Sequence, residues 1–106
     1  MLINLTPHDI VKMDNDGNVI EVVKPSGVLA RVAAHDEVVD SIGGFPIVET
    51  VYGEVEGLPE PSDDVAYIVS QMVAKRVPER RDVLIPSRTV RDANGNIIGC
   101  RAFGRV

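Results

Sequence analysis

Three kinds of residue in this 106-residue chain could carry chemistry: a set of arginines, two histidine–aspartate pairs and one cysteine. Arginine comes first, because its planar fork matches carboxylate or phosphate through paired hydrogen bonds in a way lysine cannot. Seven of the eight cations after residue 74 are arginines, and five of them are Arg80, Arg81, Arg88, Arg91 and Arg101. If residues 87–92 form a strand, Arg88 shares a face with Val90, and Arg91 shares the other with Thr89. On a partner strand over 96–103, Arg101 and Phe103 lie on one face by the same alternation. Such a hairpin sets guanidinium groups beside an aromatic ring, an arrangement suited to a phosphate carried on a base. Arg88, Arg91 and Arg101 are therefore the first candidate ligands and Arg80 and Arg81 the next. Tyr67 or Phe103 would stack on the base. Ser70, at a helix start, would add its hydroxyl and the backbone N–H groups that follow it.

The other chemistry is weaker. His8-Asp9 and His35-Asp36 offer acid–base or metal-binding groups, but no third ligand stands at a recognisable metal spacing. The plainer expectation is that Asp9 serves a helix cap and that His35-Asp36 sits in an exposed turn. Asp14 to Asn18 invites comparison with a calcium loop, which needs glycine at its sixth position and glutamate at its twelfth. Counted from Asp14, those positions hold Val19 and Pro25, so the comparison fails. Cys100 reads as a buried structural thiol, since Arg101 points to the opposite face of the same strand. Neither a Gly-x-Ser-x-Gly elbow nor a phosphate-binding loop occurs. The residues thus form no catalytic constellation, and they call for no metal and no cofactor.

Charge sharpens the arginine reading. The net charge is −5, yet residues 1–74 sum to −10 and residues 75–106 to +5. One explanation is pairing of the arginines with the acidic part, within a subunit or between subunits. The other is a recess for a small anion in an otherwise acidic protein. An acidic exterior repels long nucleic acid. Four aromatic residues and no tryptophan also make a poor single-strand stacking platform.

The elements that must position these residues fit one domain. The longest apolar run, Val65 to Val69, is far short of a membrane span. The opening MLINLTPHD lacks the basic start and apolar stretch of a secretion signal. With a single cysteine, the expected compartment is the cytoplasm. Leu2 to Leu5 reads as a strand, and Thr6-Pro7-His8-Asp9 reads either as one helical turn or as a bend into a strand. Residues 10–14 and 19–23 form a hairpin about the Asp14–Asn18 turn. Strands follow at 28–33, 38–42 and along 45–56. Residues 65–77 fit a helix capped by Ser62, or a strand at 66–69 followed by a short helix that Ser70 caps. The second is favoured, because Tyr, Ile and Val suit a sheet and good helix formers dominate only after Ser70. Pro78 ends the helix either way. Strands at 82–85, 87–92 and 96–103 complete the chain. The fold expected is α+β, a mostly antiparallel sheet with hairpins and one short helix near 70–77.

The runs Asn4-Leu5-Thr6-Pro7-His8-Asp9, Tyr67-Ile68-Val69-Ser70 and Arg91-Asp92…Ile98-Gly99-Cys100-Arg101 resemble those of small uncharacterised proteins of tailed phages and prophages. The resemblance spans nearly the whole chain and implies a phage-borne accessory protein acting in a bacterial cytoplasm, without assigning a role to any residue. In that setting the expected function is non-enzymatic: sequestration of a phosphorylated, nucleotide-derived signal, such as a cyclic nucleotide, as an anti-defence measure. The expected partners are one small anionic nucleotide-like ligand and further copies of the chain, because a homo-oligomer can enclose a ligand that one short chain cannot. Two other functions fit less closely. One is an accessory or virion protein-interaction module without a small ligand, and the other a small nucleotide hydrolase using His8 or His35.

Overall fold

A computed structural model describes residues 1–106. Its elements are β1 (Leu2–Asn4), β2 (Ile10–Met13), β3 (Val19–Val23), β4 (Arg31–Ile42), β5 (Phe45–Glu56), β6 (Ala66–Ile68), α1 (Gln71–Arg76), β7 (Val83–Arg91) and β8 (Ile97–Gly104). Strand accounts for 54% of the chain and helix for 6%, so the class is essentially all-β and the expected α+β class is corrected. The physical reason is local. Helix formers are bracketed by a cap and a proline only over Gln71–Arg76, and β-branched residues recur in every other element.

Six strands form one sheet in the order β1-β6-β7-β8-β2-β3. A parallel bridge between Asn4 and Pro25 draws its two outer strands together, so the sheet is a nearly closed barrel. The pairings β2–β3 and β7–β8 are antiparallel, whereas β1–β6, β6–β7 and β2–β8 are parallel. The sheet is therefore mixed, where a mostly antiparallel one was expected. The missed unit is β6-α1-β7, in which the short helix supplies the crossover that neighbouring parallel strands require.

Several boundaries differ from the sequence reading. The strands expected at 28–33 and 38–42 are one strand, β4, with no turn at His35-Asp36. Those residues pair with Val51 and Thr50, and no glycine or proline between Arg31 and Ile42 interrupts them. The strands expected at 82–85 and 87–92 are likewise one strand, which runs through Pro86 in register with Phe103. Thr6 to Asp9 is a bend and not a helical turn. The buried Asn4 side chain shapes it, donating to the carbonyls of His8 (2.7 Å) and Val23 (3.0 Å) and accepting from the Thr6 N–H and hydroxyl. At 66–76 the strand-then-helix alternative is the one present, and the Ser70 hydroxyl caps α1 by accepting from Val73 N–H.

The core lies between the sheet and α1: Leu5, Tyr67, Val69, Val73, Ala74 and Val83 are all buried together. Outside it stands a separate two-stranded sheet, β4 with β5, projecting as an arm. Twelve residues per strand give a length of about 40 Å. The arm explains a radius of gyration of 17.0 Å, against about 13 Å for a compact chain of this length. Gly43 and Gly44 turn it with φ of 58° and 81°, the two left-handed residues that a type I′ turn requires. At its base, Val32 and Val55 pack on the core. Gly57 has φ +79° there and passes so close to the Leu29 carbonyl that a side chain would collide with it.

Candidate functional site

The arginines singled out by sequence are not gathered into one recess. Arg80 grips Asp82 with two parallel bonds, Nε to Oδ1 and Nη2 to Oδ2, both 2.8 Å, and also donates to the Pro59 carbonyl. Hydrogen bonding from Arg80 is the main influence holding the Asp82 carboxyl below its ordinary range, and the same bonds raise the guanidinium. Arg80 is thus a brace that pins the loop before β6 to the barrel. Arg91 closes its own hairpin turn by donating to the Gly95 carbonyl at 2.7 Å. Arg101 reaches from β8 to the Asp14 carbonyl in the β2–β3 turn at 3.1 Å. Arg81 is exposed, and its carbonyl receives the Arg105 guanidinium. Arg88 is exposed and left-handed (φ 48°), which breaks the side-chain alternation assumed for this strand.

The rings and the hydroxyl are also committed elsewhere. Tyr67 is buried in the core, its hydroxyl directed at the Glu60 carbonyl at 3.4 Å, so neither face is open for stacking. Phe103 is half-buried opposite Pro86. Ser70 spends its hydroxyl on the helix cap. None of Arg88, Arg91 and Arg101 lines any of the five main clefts.

A different set of side chains does converge. Helix α1 buries Val73 and Ala74 and turns Gln71, Met72, Lys75 and Arg76 outward. The arm lays Tyr52 of β5 against that outer face, and the five residues line a cleft of about 470 Å³. The Arg76 guanidinium sits 4.5 Å from the centre of the Tyr52 ring, within the range of a cation–π contact. Neither Lys75 nor Arg76 forms an ion pair, whereas Lys12, Lys24, Arg31 and Arg80 all do. A second cleft of about 440 Å³ lies beside Arg80 and the arm base, and Arg76 borders it too. Sequence reasoning used α1 only through Ser70 and the N–H groups after it, and not through its outer face. The signal it passed over was the spacing of Gln71 and Met72 from Lys75 and Arg76, four residues apart and so on one face.

The remaining candidates stay apart. Cys100 is buried, and burial pushes its thiol pKa up, the direction opposite to that of an activated thiolate. His8 is exposed at the mouth of a cleft that Ile97, Ile98 and Cys100 also line, while His35 lies out on the arm beside Glu37. No group of three histidine, cysteine, aspartate or glutamate side chains converges as a metal site would need. No helix is long and apolar enough to cross a membrane. No family model matches the chain, and no curated protein or solved structure is significantly similar to it.

Proposed function

We propose that the protein is a non-enzymatic binder of a small phosphorylated, nucleotide-like molecule, held in the cleft of Tyr52, Gln71, Lys75 and Arg76. One observation carries this reading: two cations without carboxylate partners stand beside an aromatic ring in a protein of net charge −5. The Lys75 ammonium and Arg76 guanidinium take the phosphate, each such charge-assisted bond contributing about 1.5–3 kcal/mol. A base stacks on Tyr52 or on the plane of Arg76, and the Gln71 carboxamide reads its edge. The surrounding negative charge keeps long polyanions away while a single small anion enters.

The phage resemblance supplies the setting, capture of a nucleotide signal in a bacterial cytoplasm. Thermal-shift screening against mono-, di- and cyclic nucleotides tests the proposal directly. A ligand at a hundredfold excess over its Kd raises stability by about 2.7 kcal/mol. Lys75→Ala and Arg76→Ala should each weaken that ligand roughly tenfold to a hundredfold. Lys75→Ala should leave the melting temperature of the free protein unchanged, and Arg76→Ala should lower stability only by the about 0.5–1 kcal/mol of its contact with Tyr52. Equal affinity in both variants, or no shift with any nucleotide, overturns the proposal. Denaturing the complex and recovering intact ligand supports storage, and recovering product instead makes the protein a hydrolase.

A further inference from the structure

We infer that the arm is an assembly device, and that its acidic face docks on the arginine-bearing β7–β8 hairpin of a second copy of this chain.

The first argument is charge. Residues 31–56 carry six carboxylates (Asp36, Glu37, Asp40, Glu49, Glu54 and Glu56) against one arginine, Arg31. That excess equals the whole net charge of −5, so the rest of the molecule is neutral. Midway along the arm Glu37 stands directly opposite Glu49. Like charges on one rung destabilise an antiparallel pair, and only the exposed His35 lies near, 3.2 Å from Glu37. On the barrel, Ser87 pairs with Ala102 and Thr89 with Cys100, which brings Arg88 level with Arg101 between those rungs. Neither arginine forms an ion pair within its own chain, Arg101 reaching only the Asp14 carbonyl. The arm thus carries a like-charge rung of carboxylates and the barrel hairpin two arginines without carboxylate partners at one level, and each set relieves the other when they meet.

The second argument is shape. Both edges of the two-stranded arm are unpaired, and beyond its base both faces are in water. A lone hairpin of this kind is marginal in water. Ile42 and Phe45 at its tip are 69% and 78% exposed. Two arms packing on each other would set six carboxylates against six, so arm-on-barrel is the contact that charge allows. One face of the arm offers roughly 400 Å² from its length and two-strand width. Reciprocal exchange of two arms across a two-fold axis then covers roughly 1,600 Å² in total, the size of a stable interface.

Sedimentation equilibrium of the full chain at about 50 mM and about 500 mM salt tests this, because screening weakens such contacts. The wild type should dimerise at low salt and weaken at high salt. The double variants Glu37→Lys/Glu49→Lys and Arg88→Glu/Arg101→Glu should each lose self-association by roughly a hundredfold. An equimolar mixture of the two should dimerise again, since both arm–barrel contacts in the mixed pair are once more of opposite sign. All substituted side chains are exposed, and circular dichroism checks their folding. Should a reversal variant unfold, the alanine pairs Glu37→Ala/Glu49→Ala and Arg88→Ala/Arg101→Ala take its place and should each weaken the dimer. A wild type that is monomeric at low salt, variants that still dimerise, or a mixture that stays monomeric overturns the inference.

Discussion

The guanidinium of Arg76 lies over the Tyr52 ring at 4.5 Å, which makes one side chain of α1 the clasp between barrel and arm. Together with Val32 and Val55 packing on the core, the contact ties the arm to α1 beside the candidate cleft, so it bears on binding and on arm position together.

Tyr52→Phe keeps the ring and should leave stability within about 0.5 kcal/mol, whereas Tyr52→Ala should cost about 1–2 kcal/mol through lost cation–π contact and lost apolar burial. Hydrogen exchange should then quicken at the arm base in the alanine variant alone. Equal exchange in both variants would show that the ring does not hold the arm.

The Arg80–Asp82 pair sets a dependence on pH. The carboxyl of Asp82 is lowered in the fold, chiefly by hydrogen bonds from Arg80, so the unfolded chain binds this proton more readily. Its stabilisation is whole above about pH 5 and is lost as the pH falls through the ordinary carboxylate range toward the lowered folded value. Asp14, lowered first by the Asn18 backbone hydrogen bond, acts in the same direction. Urea midpoints measured from pH 7 to pH 2 should fall on the acid side in the wild type and fall less steeply in Asp82→Asn.

Asn4→Ala should cost roughly 2–4 kcal/mol, because it takes the amide partner from the Val23 carbonyl and the Thr6 N–H around a 1%-exposed position, while the Thr6 hydroxyl keeps only the His8 carbonyl. Denaturant unfolding measures this. A loss below about 1 kcal/mol would mean that water replaces the amide at the seam.

Gly57→Ala combines a left-handed backbone with a collision against the Leu29 carbonyl. It should cost roughly 2–4 kcal/mol. By contrast, Gly17→Ala, with φ +85° and open space around it, should cost only about 1 kcal/mol. Comparing the two melting curves separates the close approach from the strain.

Legibility followed the range of the forces involved. The hairpin about Asp14–Asn18, the Ser70 cap and the stop at Pro78 are local effects, and each is readable from a few neighbouring residues. The parallel neighbours β1–β6 and β6–β7 arise from contacts far apart in sequence, which no turn motif announces. Alternation along β7 was readable up to Ser87 and not beyond, because the left-handed Arg88 is dictated by no local residue signal. The arginine cluster was misplaced for a related reason. A guanidinium settles on any nearby carbonyl, as Arg91 does at Gly95 and Arg101 at Asp14, and sequence does not say which. Tyr52 and Arg76 meet only because β5 returns past the helix.

The register of β4 against β5 slips twice, between Val32 and Ala34 and again between Val38 and Asp40. Extra residues at such steps coil a ribbon about its own axis. A coiled ribbon offers its unpaired N–H and C=O groups along a helical path, which a straight neighbour can follow for only a few residues. Long, sticky and bare as it is, the ribbon is thereby a poor seed for fibre growth.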